Sequence, residues 1–284
     1  GGATGGGGGT MGCRFRGVKG ASRGISGDTT RGVLIRLRED ALSLNPSGVV
    51  LLIGTNDLEE KATPEVIADN LKLIIAALKK HSADMPIILC NVMPSSAAKK
   101  RPADQIEKIN QLYFAAVKGD AQVTMLDTWL LFADDKGDAK KPEFPDLLHP
   151  NKTGYAKWAA ALRPLLATHG FVETKADTFH LEPGYVSLFN GHDLTGWGFR
   201  AKKTFNPTAT VDGMKASNDA RYVAINGRLV VTTPPEGRRV QQLWTTREFP
   251  ENFILRLEFR ATPNADSGVF IRKPQLQCRD YVLA

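Results

Sequence analysis

The sequence predicts two domains in succession: a three-layer α/β domain with a parallel sheet over residues 1–170, and part of an all-β sandwich over residues 185–284. Residues 171–184 are expected to link them. Through the first half, apolar runs of strand length alternate with segments of helical periodicity. Through the second half, strand-like runs are separated by Gly, Pro and Asn. A chain of 284 residues also has room for about two domains.

Strands and helices alternate in the first half. Its continuous apolar runs are typical of strands buried on both faces of a parallel sheet. These runs cover 49–53, 86–92 and 123–126, and a shorter extended segment covers 18–21. Helices are expected from near Thr29, after Thr63 as N-cap with Pro64 in the first turn, over 106–116, and after Asn151 as N-cap. Repeated units of this kind place helices on both faces of the sheet.

Three polar turns of the first half are expected at one edge of the sheet. Gly27 and Asn56 follow strand segments directly, and the loop at 146–149 lies between the last strand and the last helix. Ligands bind outside the carboxyl ends of parallel strands, so these turns converge on one crevice. His149, three residues after Asp146, suits a general base oriented by a carboxylate, while a Gly N–H and an Asn amide suit an oxyanion site. Taken singly, each residue also has a purely structural interpretation in a turn or loop.

The second half is predicted to be antiparallel. Apolar and charged residues alternate within 254–260, which is typical of a strand with one face in the core. The expected strands cover 185–189, 228–233, 242–245, 253–261 and 267–272. Asn-Gly pairs at 190–191 and 226–227 mark turns between them. A sandwich is the expected architecture.

Charge and composition exclude several classes of function. The net charge of +7 is spread over both halves, and the densest basic run, Lys-Lys-Arg at 99–101, is expected to be a solvated loop. Nucleic acid is therefore not an expected partner. No run of about 18 apolar residues is present, so no membrane span is predicted. Cys13, Cys90 and Cys278 match neither a disulfide framework nor a metal site, and Cys90 is expected in the core.

The two ends of the sequence lack clear signals. Residues 1–9 are almost all glycine, without the basic and apolar regions of a signal peptide, and are expected to be a remnant stub. A signal lost upstream would place the protein in the periplasm or outside the cell, so the compartment stays open, as does the oligomeric state. The sequence reaches Ala284 without a turn signal, so we expect the second domain to be cut short there.

Three motifs give the first half a family resemblance. They are Gly-Ile-Ser-Gly-Asp-Thr-Thr at 24–30, Gly-Thr-Asn-Asp at 54–57 and Asp-Leu-Leu-His-Pro-Asn at 146–151. Residues 15–169 thereby resemble the SGNH (GDSL-type) hydrolases, in the branch similar to platelet-activating-factor acetylhydrolase subunits. The resemblance implies a flavodoxin-like fold and ester hydrolysis through an acyl-enzyme, with no metal or organic cofactor. It also implies that His149 is the base, Asp146 its partner, and Gly27 and Asn56 the oxyanion hole.

The nucleophile implied by this resemblance is missing. In the family it is the Ser of a Gly-Asp-Ser motif after the first strand, and no Gly-Asp-Ser occurs in this sequence. Shifting the family pattern upstream places Gly2 at the Ser position. Ser22 and Ser26 lie beside the oxyanion turn and are expected to be structural. We therefore assign no nucleophile and expect the first strand and its Ser to be absent from this sequence.

The second half resembles the 3-keto-disaccharide hydrolase domain family. The matching segments are Tyr-Val-Ser-Leu-Phe-Asn-Gly-His-Asp-Leu-Thr-Gly-Trp at 185–197, Leu-Arg-Leu-Glu-Phe-Arg at 255–260 and Asp-Ser-Gly-Val-Phe-Ile-Arg at 266–272. The resemblance implies a concanavalin-like jelly-roll sandwich that breaks down glycosides or binds carbohydrate. Trp197 and Trp244 are expected to pack in the core, with stacking on sugar rings as the alternative.

The expected function is therefore hydrolysis of small acyl esters, with acetyl esters of carbohydrate as the substrate class. Small esters or carbohydrates are the expected binding partners. One alternative is a protein that binds or hydrolyses glycosides and whose α/β domain is catalytically silent. A silent interaction protein is a further alternative, favoured if the natural gene lacks the Ser.

Overall fold

A computed structural model describes residues 20–172, 180–201, 204–219, 221–232, 241–249, 252–261, 266–271 and 274–279. The glycine-rich start lies outside these ranges, as does the first half of the extended segment predicted at 18–21. The described residues 20 and 21 belong to no strand.

The α/β prediction for the first half is confirmed. Its helices are α1 (Thr30–Asp40), α2 (Thr55–Glu59), α3 (Pro64–His81), α4 (Ala103–Val117), α5 (Thr128–Phe132) and α6 (Lys152–Thr168). Its strands are β1 (Val49–Leu51), β2 (Ile87–Cys90) and β3 (Val123–Leu126). They form a parallel sheet in the order β1-β2-β3, with β2 paired to both neighbours. The one-turn helices α2 and α5 were not predicted.

The central strand β2 shows that the domain has three layers. Alternate residues of a strand point to opposite faces. Ile87 and Leu89 pack into one core with α1, α3 and α4, while Ile88 packs into another with Leu162 and Leu166 of α6. Cys90 is fully buried, as predicted. The expectation of helices on both faces of the sheet therefore holds.

Strand β1 differs from its prediction. The apolar run at 49–53 was expected to be buried on both faces, but the strand ends at Leu51 and Val50 is 40% exposed. Among the described residues, β1 has a sheet partner on one side, β2. An apolar run reports on hydrophobicity and contains no information about which strand lies at the edge of a sheet.

The second half consists of antiparallel strands, as predicted. They are β4 (Trp197–Ala201), β5 (Thr204–Thr210), β6 (Tyr222–Ile225), β7 (Arg228–Val231), β8 (Leu243–Thr245), β9 (Asp266–Phe270) and β10 (Gln275–Arg279). Asn226 and Gly227, both with positive φ, form the tight turn between β6 and β7. In the described residues, the segments predicted at 185–189 and 253–261 join no ladder. Strands β4, β5 and β10 were missed, because their apolar residues are interrupted by Gly, Arg, Asn and Gln. Strand β6, Tyr-Val-Ala-Ile, was also missed, although none of its residues interrupts the apolar run.

The hydrophobic packing of the first half extends past residue 170. Val172 is buried against Ile88, Leu162 and Leu166, and Phe171 packs on the same cluster. These two residues were predicted to begin the linker. The rest of that segment, 173–179, lies outside the described residues. Among the helices that the structure describes, none is both long and apolar enough to cross a membrane.

Candidate functional site

Gly27 lies in a tight turn directly before α1. The N–H of Asp28 donates to the carbonyl of Ile25 at 3.2 Å, and Gly27 has φ +77°. Positive φ at the third residue of a turn favours glycine. Thr29 then caps α1 by accepting a hydrogen bond from the N–H of Gly32 at 3.2 Å. The cap fixes where the helix begins and therefore where the turn lies.

Asn56 follows β1 after a second glycine turn. Gly54 has φ +118°, and a Cβ there would lie 2.6 Å from the hydroxyl of Tyr113. That hydroxyl donates to the carbonyl of Ile53 at 3.2 Å. Both the backbone conformation and the lack of space thus require glycine. The turn ends β1 and starts α2, which carries Asn56 in its first turn.

Hydrogen bonds join the two predicted oxyanion turns. The Asn56 side-chain amide donates from Nδ2 to the carbonyl of Asp28 at 2.9 Å. The carboxylate of Asp57 is buried and accepts from the N–H of Thr30 at 3.0 and 3.1 Å and from its hydroxyl. Asp57 thereby holds the N-terminus of α1, where a negative charge is favourable. The turn that carries Gly27 and the turn that carries Asn56 are held together as a result.

Asp146 and His149 form a pair. His149 Nδ1 lies 2.7 Å from Asp146 Oδ2, and the N–H groups of His149 and Leu148 donate to Oδ1 at 2.7 and 3.0 Å. An ionised carboxylate only accepts hydrogen bonds, so Nδ1 of the imidazole carries the shared hydrogen. In the neutral form of the ring, Nε2 is then an acceptor, on a side chain that is 73% exposed. This is the tautomer that a general base requires.

The environment of Asp146 favours its ionised form. Partial burial raises the pKa of this carboxyl, but the hydrogen bonds from the backbone and ring of His149 and from the N–H of Leu148 outweigh burial. They hold the pKa of Asp146 well below its usual range. Asp146 therefore stays charged at any pH near neutrality and keeps the imidazole in the described orientation.

The 146–149 loop is held from both sides. Leu147 has φ +61°, a left-handed conformation that is unfavourable for a branched side chain. Its carbonyl accepts from the hydroxyl of buried Ser95 at 2.7 Å, and its N–H donates to Phe144 at 2.9 Å. On the other side, Asn151 caps α6 by accepting from the N–H of Gly154 at 3.0 Å. These contacts compensate for the strained residue between Asp146 and His149.

The segment after β2 contacts both the 146–149 loop and the turn that carries Asn56. The sequence did not predict these contacts. Ser95 reaches Leu147 in the base loop, and Arg101 donates to Asn56 in the oxyanion turn at 2.9 Å. The prediction of a solvated loop at 99–101 is wrong for Arg101, which is 3% exposed. Because β2 ends at Cys90, both contacts lie at the carboxyl end of the sheet. The structure thus connects Asp146 and His149 to Gly27 and Asn56 through residues 95–101.

Three positions were considered for a nucleophile: Ser22, Ser26 and Gly2. Ser22 and Ser26 are both exposed, and Gly2 lies outside the described residues.

In the second half, the guanidinium of Arg200 lies over the ring of Trp244, 4.5 Å from its centre. It occupies one face of the ring on which a sugar would stack.

The fold and the position of these turns define a class of α/β hydrolase. The chain belongs to the GDSL-like lipase/acylhydrolase family, whose sequence model matches residues 8–157. A second model, described as a 3-keto-alpha-glucoside-1,2-lyase-like domain, matches residues 184–282. The two matches agree with the two resemblances in the sequence.

Two relatives and one solved structure are similar to about half of this chain. The human platelet-activating factor acetylhydrolase IB subunit alpha2 is 31% identical over 144 residues, which are 50% of this chain and 62% of that protein. The alpha1 subunit from Pongo abelii is 28% identical over the same length, again 50% of this chain and 62% of the relative. A GDSL-like lipase structure from Bacteroides thetaiotaomicron VPI-5482 is 23% identical with a TM-score of 0.46, covering 51% of this chain and 74% of that one.

Proposed function

We propose that the α/β domain is a serine-type esterase site for small acyl esters. His149 is the general base, Asp146 orients it, and Gly27 and Asn56 stabilise the oxyanion. The observation that supports this most directly is the Asp146–His149 pair, whose 2.7 Å contact leaves Nε2 as an acceptor. The loop that carries this pair and the turn that carries Asn56 are both bound by one segment, 95–101.

The proposed reaction needs a hydroxyl nucleophile. In the first step His149 Nε2 removes the proton of a serine hydroxyl while the oxygen attacks the ester carbonyl. The N–H groups of Gly27 and Asn56 stabilise the negative charge that develops on the carbonyl oxygen. The alcohol then leaves with the proton from His149. Water activated by the same imidazole hydrolyses the acyl-enzyme.

We further propose that the 284-residue chain lacks this serine and is nearly inactive, since it contains no Gly-Asp-Ser. Comparable triad enzymes without their nucleophile retain roughly 10³–10⁴-fold catalysis over water. In this proposal the restored protein, defined as the chain preceded by an apolar strand and a Gly-Asp-Ser turn, is the active form.

Acetyl esters of carbohydrate are the proposed substrates. The relatives described above are named as acetylhydrolases, which favours a short acyl group. The match of residues 184–282 to a sugar-processing domain favours a carbohydrate alcohol, by analogy at the level of the fold. We propose a division into an esterase domain up to residue 172, a linker, and a glycan-processing domain from residue 185.

The same second match favours one other function. In it, the protein binds or breaks down glycosides through residues 185–284, and the α/β domain is silent. Hydrolysis of p-nitrophenyl acetate separates the two functions. The esterase proposal requires p-nitrophenol release by the restored protein and its loss in His149→Ala, whereas Gly2→Ser alone in the 284-residue chain does not produce activity. A restored, folded protein without activity would favour the silent domain.

A further inference from the structure

Arg101 makes more hydrogen bonds than is typical of a residue in a surface loop. Its guanidinium is buried and donates to four oxygens from two separate segments. The contacts are Nε to the Thr55 carbonyl at 3.1 Å, Nη1 to the Lys99 carbonyl at 2.6 Å, and Nη2 to Asn56 Oδ1 at 2.9 Å and to Glu59 Oε2 at 2.7 Å. Two of these acceptors are backbone carbonyls, so the guanidinium plane is fixed independently of side-chain motion.

The contacts of Asn56 define which way its amide points. A guanidinium has donors alone, so the atom that faces Arg101 must be the amide oxygen. The carbonyl of Asp28 is an acceptor alone, so the atom that faces it must be Nδ2. Rotating the amide by 180° would set donors against donors and oxygen against oxygen. One N–H of Nδ2 donates to Asp28, and the other has no acceptor within the part of the chain that the structure describes.

We propose that Arg101 is a positioning residue that locks the Asn56 amide with its N–H toward the oxyanion site. The inference rests on the proposed function of Asn56. The positive charge of the Arg101 guanidinium, which faces Asn56 Oδ1, also polarises the amide, and this strengthens its N–H as a donor to an anion. Lysine cannot reproduce the arrangement, because an ammonium lacks the planar fork that reaches Thr55 and Asn56 together.

Glu59 offers a matched control. It contacts the same Nη2 atom as Asn56 but lies toward solvent, with its side chain half exposed. The hydrogen bond from Arg101 lowers the pKa of Glu59. Replacing Glu59 by Gln keeps an oxygen acceptor and removes the charge pair. A role of Arg101 confined to ion pairing is therefore sensitive to Glu59→Gln, whereas the positioning role is not.

The first test uses the 284-residue chain itself and needs no activity. In ¹H–¹⁵N spectra, the side-chain NH₂ signals of Asn56, assigned by their loss in Asn56→Asp, report on the amide environment. We expect Arg101→Met and Arg101→Lys to shift or broaden these signals and Glu59→Gln to leave them in place. Unchanged Asn56 signals in both Arg101 variants would overturn the proposal. If Arg101→Met does not fold, Arg101→Lys decides.

The second test measures kinetics in the restored protein. Losing one oxyanion donor costs roughly 10²–10³-fold in kcat, so misplacing it should cost about tenfold or more. We expect Arg101→Met to lower kcat by at least about tenfold with KM within about twofold, Arg101→Lys to fall between, and Glu59→Gln to match wild type. A raised KM with unchanged kcat would contradict positioning. An inactive wild-type restored protein would instead contradict the proposed function, and the spectra would still decide on Arg101.

Discussion

The base loop and the oxyanion turns are built in opposite ways. Asp146 and His149 are three residues apart, exposed, and paired by contacts within one loop. Asn56 and Asp57 bind partners 28 and 27 residues away, respectively, and Arg101 reaches Asn56 across 45 residues. The base is thus positioned by contacts within its own loop, while the oxyanion turns depend on the tertiary fold. We expect substitutions in the two regions to differ in their effect on stability.

Asp57→Ala should have the largest effect on stability. It removes a buried carboxylate and leaves the N–H and hydroxyl of Thr30 without their acceptor. Losses of this kind cost about 2–4 kcal/mol of unfolding free energy. Urea unfolding followed by circular dichroism measures the loss. Asp69→Ala, which removes an exposed ion pair with Lys72, is the control and should change stability by less than about 0.5 kcal/mol. Equal effects would contradict the described role of Asp57.

Replacing Gly54 and replacing Gly27 should lower the stability of the protein by different amounts. Gly54→Ala places a Cβ 2.6 Å from the Tyr113 hydroxyl and in a positive-φ conformation, whereas at Gly27 the space is open and φ alone is unfavourable. We expect a loss of about 2–3 kcal/mol for Gly54→Ala and about 1 kcal/mol for Gly27→Ala. The same unfolding experiment compares them. A larger loss at Gly27 would show that the packing around Gly54 is described wrongly.

Neighbouring serines test how the base loop is anchored. Ser95 and Ser96 are both buried, but the Ser95 hydroxyl donates to Leu147, while Ser96 Oγ has no hydrogen-bond partner among the described residues. Ser95→Ala should cost about 1 kcal/mol of stability and Ser96→Ala close to none. In the restored protein, Ser95→Ala should also lower kcat. Equal effects of the two substitutions would mean that the Ser95 contact does not hold the loop.

The smallest effect is expected at Asp146, and it depends on pH. The pKa of Asp146 is lower in the folded state than in the unfolded chain, where an Asp has a pKa of about 3.9. Its contribution to stability is therefore complete above that unfolded value and is lost as pH falls through the folded pKa. The melting temperatures of wild type and Asp146→Asn should differ at pH 6 and converge toward pH 2. A constant difference would contradict this linkage.

Local features of the fold could be predicted from the sequence. Thr63 and Asn151 were expected to cap helices, and both side chains accept the N–H of a residue in the first turn. The sequence Asn226-Gly227 predicts a turn, and the three-residue spacing of Asp146 and His149 predicts a pair. In each case the interacting residues are at most four positions apart.

Features that depend on distant partners could not be predicted. Arg101 lies in a basic run, which is typical of a solvated loop, yet its burial follows from acceptors at positions 55, 56 and 59. The left-handed conformation of Leu147 is likewise stabilised by Ser95, 52 residues earlier. No short pattern in the sequence contains these pairs. The exposure of Val50 also depends on the order of strands in the sheet.

The most direct test of the central claim is whether His149 activates a serine in this fold. Fluorophosphonate labelling of the restored protein, followed by mass spectrometry, gives both the modified residue and the rate. We predict an adduct on the Ser of the Gly-Asp-Ser turn, with labelling strongly slowed in His149→Ala and the 284-residue chain unlabelled. Labelling at a rate independent of His149, or an adduct on Ser26 in the 284-residue chain, would contradict the account.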